Sequence, residues 1–211
     1  MKHMTQAWIH LSRAALSLVR PLISGFGRLS LVLFRRHRVL GLKVIVADPR
    51  LDEQSCLQAI RAAVELLTEL DPQGSILVQK YVKHVLVWPA HYTAYNSWGG
   101  IHFAARHLLG VAPAHVASAL VHEATHLRIA RFGIPYDPDL RGRIEAICVR
   151  AQADFLRKVL PDGARWADQV EAGPSEPWWS EADRRSDVRQ SLQDAGLSSW
   201  LENVLVRQGR E

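Results

Sequence analysis

Two histidines four residues apart in an otherwise apolar stretch constrain this chain more than any other feature. The segment SALVHEATHLRI, residues 118–129, contains His122 and His126, with Glu123 directly after the first. On a helix, residues four apart lie on the same face, one turn along. Burying two imidazoles and a carboxylate there is costly unless each has a partner. The pattern therefore predicts that hydrogen-bonding groups or a metal ion meet this face.

The spacing itself favours a metal ion. Neutral imidazole is a good zinc ligand, and His-Glu-x-x-His is the zinc-binding pattern of metallopeptidase helices. Zinc lowers the pKa of a bound water to about 7, and a neighbouring carboxylate can then take its proton. We predict that His122 and His126 bind Zn²⁺ and that Glu123 is the catalytic base. The alternative is a pair of core histidines with hydrogen-bond partners.

A catalytic zinc site needs a third protein ligand, and the residues restrict its identity. A metzincin would have Gly at position 129 and His at position 132, where this chain has Ile129 and Phe132. No histidine follows His126, so a downstream carboxylate or thiolate and an upstream group stay open. A turn through FGIPYDPD and an antiparallel return helix would bring Glu145 beside the histidines.

Over residues 98–158 the His-Glu-x-x-His helix, followed by IEAICVRAQADF with Glu145, resembles the gluzincin clan of zinc metallopeptidases. The resemblance implies a small zincin-like domain, hydrolysis of peptide bonds and Glu145 as the third metal ligand. It also implies that the substrate backbone pairs with an edge strand beside the metal. We assign this substrate-binding role to the segment that contains Gly99, Gly100, Ile101 and His102.

The chain departs from the thermolysin-like pattern at one position. Those members carry an Asp four residues after the ligand Glu, where this chain has Val149. Because metal-bound histidines need such an acceptor, Asp137, Asp139 or a backbone carbonyl would have to replace it. Cys148 shares the face of Glu145 and would line the site or bind the metal. The alternative for Glu145 is a salt bridge to Arg141, one turn earlier.

Stabilising the transition state requires a hydrogen-bond donor near the metal. Tyr136 lies in the turn between the two helices that would carry the ligands, so we predict that it is catalytic. Arg143, His102 and His107 are weaker candidates.

Basic residues are concentrated at the N-terminus. The chain has a formal net charge of +5, yet residues 1–47 contain eight Lys or Arg and no Asp or Glu. The rest of the chain is therefore net acidic, which argues against nucleic acid as a partner. Residues 5–34 form a basic amphipathic pattern, which is typical of a helix on an anionic membrane surface, a helix packed on the domain or a partner, or a cleaved presequence.

The remaining patterns predict an α+β protein. Expected strands cover residues 39–47, 81–89 and 98–105, and expected helices cover about 52–70, 112–132, 139–159, 180–194 and 197–208, with a loop at 161–180. We predict an arm at residues 1–38 and a zincin-like metallopeptidase domain with C-terminal helices at residues 39–211. The expected location is cytoplasmic or at a membrane periphery. The alternative function is a zinc-stabilised, inactive binding or regulatory module at a membrane.

Overall fold

A mixed five-stranded sheet organises the part of the chain that the structure describes. The structure is a computed structural model and describes residues 35–47, 50–88, 93–95 and 99–172. The strands are β1 (Arg36–Val39), β2 (Leu42–Val46), β3 (His84–Trp88), β4 (Ala94–Tyr95) and β5 (Gly100–Ala104). Their spatial order is β1-β2-β3-β5-β4. The three central strands are parallel, and each outer strand is antiparallel to its neighbour.

Five α-helices accompany this sheet in the described residues. They are α1 (Glu53–Leu70), α2 (Pro72–Tyr81), α3 (Pro113–Arg131), α4 (Pro138–Val159) and α5 (Gly163–Ala172). Helix α3 packs against α1, α2 and α4, and α5 packs against α4. None of the described helices is long and apolar enough to span a bilayer. The predicted α+β class is confirmed.

The main core lies between the helices and one face of the sheet. Successive side chains of a strand point to opposite faces. Accordingly, alternate residues of the central strands join helical residues in one buried cluster, including Val44, Val46, Val85, Val87, Ile101 and Phe103. Ile45 and Leu86, which are neighbours on the other face, belong to a second, smaller cluster. Helix α3 is therefore fixed on one defined side of the sheet.

The first strand region differs from the prediction of a single strand over residues 39–47. The structure forms a hairpin there, because Leu40 and Gly41 adopt φ angles of 46° and 92° and turn the chain between β1 and β2. Residues 36–38 are therefore part of the sheet, and the predicted arm boundary at residue 38 falls inside β1. Residues 1–34 of the predicted arm lie outside the described residues.

Two helices were absent from the sequence prediction. Asp71-Pro72 ends α1, as predicted, but Pro72 also begins α2, since proline is well tolerated in the first turn of a helix. The predicted loop over residues 161–180 is wrong for Gly163–Ala172, which form α5. The Arg157 guanidinium on α4 donates to both carboxylate oxygens of Glu171 on α5, at 3.1 and 2.6 Å. The helices predicted at 180–194 and 197–208 lie outside the described residues.

Candidate metal centre

The two histidines lie on α3, and a short turn returns the chain along α4. Helix α3 ends beyond Arg131, where Gly133 adopts a φ angle of 76° that favours glycine. The Asp137 carboxylate then caps α4 by accepting a hydrogen bond of 2.9 Å from the backbone N–H of Leu140. The Asp137 carboxylate therefore has a local role at the start of α4.

The antiparallel register of this hairpin selects the residues that meet. Moving forward along α4 corresponds to moving backward along α3, so Glu145 lies beside His126, and Gln152 lies beside Ser118. Positions 145, 148 and 152 are three and four residues apart and therefore follow one face of α4. That face is turned towards the histidines.

Three side chains that can bind a metal converge at the centre of the hairpin. The Nε2 atoms of His122 and His126 are 3.2 Å apart. The two carboxylate oxygens of Glu145 lie 3.6 Å from Nε2 of His122 and 3.5 Å from Nε2 of His126. Ligand atoms of one tetrahedral zinc ion, each bound at about 2.0–2.2 Å, are separated by about 3.3–3.6 Å. The three predicted metal residues are thus brought together, and each imidazole lies nearest to a different oxygen of the Glu145 carboxylate.

This cluster is buried, and it contains more hydrogen-bond acceptors than hydrogen-bond donors. His122, Glu123, His126 and Glu145 expose 6, 6, 4 and 3% of their surface. Among the described residues, Oε2 of Glu145 has no hydrogen-bond partner. Buried lone pairs that face one another need protons or a cation between them. Without a metal, protons can fill this role. Burial opposes the charged forms, but the proximity of the imidazoles to the carboxylate raises the pKa of His122 and lowers that of Glu145.

A hydrogen-bond chain that the sequence analysis missed orients His122. Its Nδ1 lies 3.1 Å from Oε1 of Gln152, and Nε2 of Gln152 donates to Oγ of Ser118 at 3.2 Å. The Ser118 hydroxyl donates in turn to the carbonyl oxygen of His115 at 2.8 Å. This direction places the His122 proton on Nδ1 and leaves the lone pair of Nε2 facing the centre. Gln152 therefore provides the acceptor for the Nδ1 proton of His122, a role that the valine at position 149 cannot fill.

Two tyrosines cover His126. The ring of Tyr95, on the short strand β4, stacks on the imidazole with centroids 4.9 Å apart. The ring of Tyr136 meets the same imidazole edge-on at 5.6 Å. The Tyr136 hydroxyl donates a hydrogen bond to Oε1 of Glu145. This contact orients Glu145, and the predicted catalytic role of Tyr136 stays a prediction.

Glu123 joins the helix to the edge of the sheet. Its carboxylate accepts a hydrogen bond from the backbone N–H of Tyr95. Burial raises the pKa of Glu123, although the two nearby imidazoles oppose this shift. The Glu123 carboxylate thus lies close enough to both imidazoles for their charge to affect its pKa. It accepts a hydrogen bond from Tyr95, whereas Glu145 accepts one from Tyr136.

Cys148 is the other donor on the inner face of α4. Its sulfur and one ring nitrogen of each of His122 and His126 all lie within 4.8 Å of one another. This buried group of two histidines and a cysteine could bind a metal ion. Burial, followed by the charges of Glu145 and Glu123, raises the pKa of the Cys148 thiol.

The strand predicted to bind substrate lies inside the sheet and not at its edge. Strand β5 pairs with β3 on one side and with β4 on the other, so Ala94–Tyr95 is the outermost of the described strands on this side. Ile101 is buried in the main core. His102, one residue on, points to the opposite face, where burial and then His84 lower its pKa to about 4. The substrate-binding role of these residues stays a prediction, but its edge-strand basis is wrong.

The glycines at the start of β5 have a packing role. Gly99 adopts a φ angle of 83°. A Cβ atom on Gly100 would lie 2.1 Å from Nε2 of His84, the residue opposite it on β3. The imidazole therefore occupies the space that the missing side chain leaves. This contact explains Gly100 without a substrate.

We expect Gly100→Ala to lower the free energy of unfolding by about 1–3 kcal/mol, because overpacking forces the His84 ring to move. Gly142→Ala is the matched control, since a Cβ atom there meets nothing within 4 Å on an exposed turn of α4. That change should raise the free energy by about 0.5–1 kcal/mol. Urea unfolding of the full chain measures both. An equal loss of stability on Gly100→Ala in the wild-type and His84→Ala backgrounds would contradict the packing explanation.

The remaining predicted alternatives lie elsewhere. Arg143 and Asp139 are exposed on α4. Nδ1 of His107 lies 3.3 Å from the hydroxyl oxygen of Thr93. The Arg141 guanidinium lies 5.2 Å from the centroid of the Tyr136 ring.

No family model, curated protein or solved structure matches this chain. The interpretation of the centre therefore depends on its own geometry and chemistry.

Proposed function

We propose that this protein is a zinc-dependent metallopeptidase of the gluzincin type, with a zincin-like fold. The observation that carries the proposal is the convergence of the two Nε2 atoms and the Glu145 carboxylate at 3.2–3.6 Å. Two nitrogens and one oxygen from adjacent helices match the His₂Glu ligand set of catalytic zinc sites.

Each residue would have a distinct task in this mechanism. His122, His126 and Glu145 would hold the ion, which when bound supplies a Lewis acid for the scissile carbonyl and the attacking water. Gln152 keeps the Nδ1 proton of His122 in place and so keeps the Nε2 lone pair available. Glu123 would accept a proton from the attacking water and deliver it to the leaving amine.

A second function is favoured by the burial of the site. Each of the four central side chains exposes less than a tenth of its surface, and the rings of Tyr95 and Tyr136 pack on His126. A structural zinc site is closed by protein ligands, whereas a catalytic one keeps a position open. A zinc-stabilised binding or regulatory module without hydrolytic activity is therefore the alternative.

Cleavage of a broad peptide library separates the two functions. The zinc-loaded wild type is compared with Glu123→Gln at equal metal content. Cleavage by the wild type alone supports the peptidase. No cleavage by either protein, with zinc tightly bound in both, supports the module.

We also propose that residues 5–34 attach the protein to anionic membrane surfaces. We expect deletion of residues 1–34 to weaken binding to vesicles that contain phosphatidylserine by about tenfold or more, because four basic residues and the apolar stripe are lost. The deletion ends before β1, which begins at Arg36, so the sheet keeps all its strands. Vesicle co-sedimentation at low and physiological salt measures the change.

A full-length control tests the charges separately from the length. Replacing Arg13, Arg20 and Arg28 with Gln should weaken binding to anionic vesicles and leave the weak binding to neutral vesicles unaltered. Equal vesicle binding by the truncated and full chains would contradict attachment. Failure of the truncated chain to fold would show instead that the segment packs on the domain.

A further inference from the structure

Cys148 lies beside the two histidines and is not part of the main apolar cluster. It lies on the inner face of α4, between Glu145 and Gln152, and both of these residues contact His122. The residue is fully buried. Its sulfur lies within 4.8 Å of donor nitrogens on both His122 and His126. The thiol is thus directed towards the two histidines that Glu145 also contacts.

The geometry leaves one coordination position for this sulfur. His122, His126 and Glu145 supply three donors, and tetrahedral zinc takes four. Nitrogen and sulfur ligands of one zinc ion lie about 3.5 Å apart, so each nitrogen–sulfur distance needs to shorten by at most about 1.3 Å. A change of that size is within the reach of small side-chain adjustments.

The second cysteine of the chain provides a contrast. Cys56 is also free and fully buried, but it lies on α1 within the main apolar cluster. The described metal-ligand group contains Cys148 and not Cys56. Both thiols are therefore buried, but only the Cys148 thiol belongs to the group that includes the two histidines.

We propose that Cys148 is the fourth protein ligand of the metal in the resting protein. The thiol would release its proton to solvent as the metal binds, and the sulfur would occupy the position that hydrolysis requires to be open. Activity would then begin only when substrate displaces the sulfur. This inference concerns the regulation of the site and rests on the metal centre of the proposed function.

The test uses the full chain loaded with Co²⁺, whose near-ultraviolet thiolate charge-transfer band reports a bound sulfur. We expect the band in the wild type and in Cys56→Ser, where Cys148 is the sole cysteine. We expect its loss in Cys148→Ala, together with release of one proton fewer when zinc binds at constant pH. Zinc-loaded Cys148→Ala should also cleave peptides faster than the wild type at saturating metal.

The possible results separate this inference from the function on which it rests. A metal-loaded wild type without the charge-transfer band would overturn Cys148 as a ligand and leave the His-His-Glu centre in place. A band that is lost in Cys56→Ser would also overturn it. If Cys148→Ala does not fold, the Cys56→Ser spectrum still decides the ligand. Absence of metal binding by the wild type would remove both proposals.

Discussion

Glu123→Gln should lower peptide turnover by about 10²–10⁴-fold, the usual contribution of a general base, while zinc content stays the same. Gln keeps the size of the side chain and a carbonyl oxygen that can accept from the Tyr95 backbone N–H. It removes the ability to take a proton. Because Glu123 is not one of the three converging side chains, its replacement leaves His122, His126 and Glu145 in place.

The measurement is initial-rate cleavage of a library-derived peptide at matched zinc loading. Glu65→Gln is the control, because Glu65 is an exposed carboxylate on α1, which lies outside the metal-centre hairpin. Its turnover should equal that of the wild type. Equal turnover by Glu123→Gln and the wild type would exclude Glu123 as the base, even if the protein is a peptidase.

Removal of a metal ligand should have the other large effect. We expect wild-type protein to bind about one zinc ion per chain, and His126→Ala or Glu145→Ala to weaken zinc affinity by more than about 100-fold, since changes in supporting residues alone cost 10–100-fold. Zinc at 100 times the dissociation constant stabilises the folded state by about 2.7 kcal/mol. For a chain of this size that corresponds to a rise in Tm of about 5–10 °C.

Metal analysis and thermal unfolding with and without zinc measure these effects. His115→Ala is the matched control, because His115 lies on the same helix but packs against Trp166, with ring centroids 4.5 Å apart. That variant should keep its zinc affinity. Metal-free wild type whose Tm does not respond to zinc would contradict the metal centre.

The sequence predicted the part of the site that depends on local periodicity. The spacing of His122 and His126 defines one helix face, and the turn residues imply an antiparallel return that brings Glu145 opposite them. Gln152 follows from the same register, seven residues after Glu145 on the same face. The expected partner was a carboxylate, but the carbonyl oxygen of an amide can also accept a hydrogen bond from an imidazole N–H.

Other features depend on tertiary contacts that no local pattern carries. Tyr95 belongs to a strand of two residues, which is too short for alternation to be visible. The β1–β2 hairpin turns at Leu40, a residue type that seldom adopts a positive φ angle, so the apolar run read as one strand. Helix α5 is stabilised by its contacts with α4, which become apparent only when both are folded.

The position of the donors within one helical hairpin affects how the chain reaches its native state. Sheet formation must join residues as distant as Val44 and Val85, whereas the proposed metal centre would require closure of only the short turn between α3 and α4. Closing a short loop costs less conformational entropy, so the hairpin can form before the parallel strands pair. Zinc would then bind to the partly folded chain as well as to the native protein. Because binding to unfolded forms reduces ligand-linked stabilisation, zinc should accelerate folding more than its effect on Tm alone would indicate.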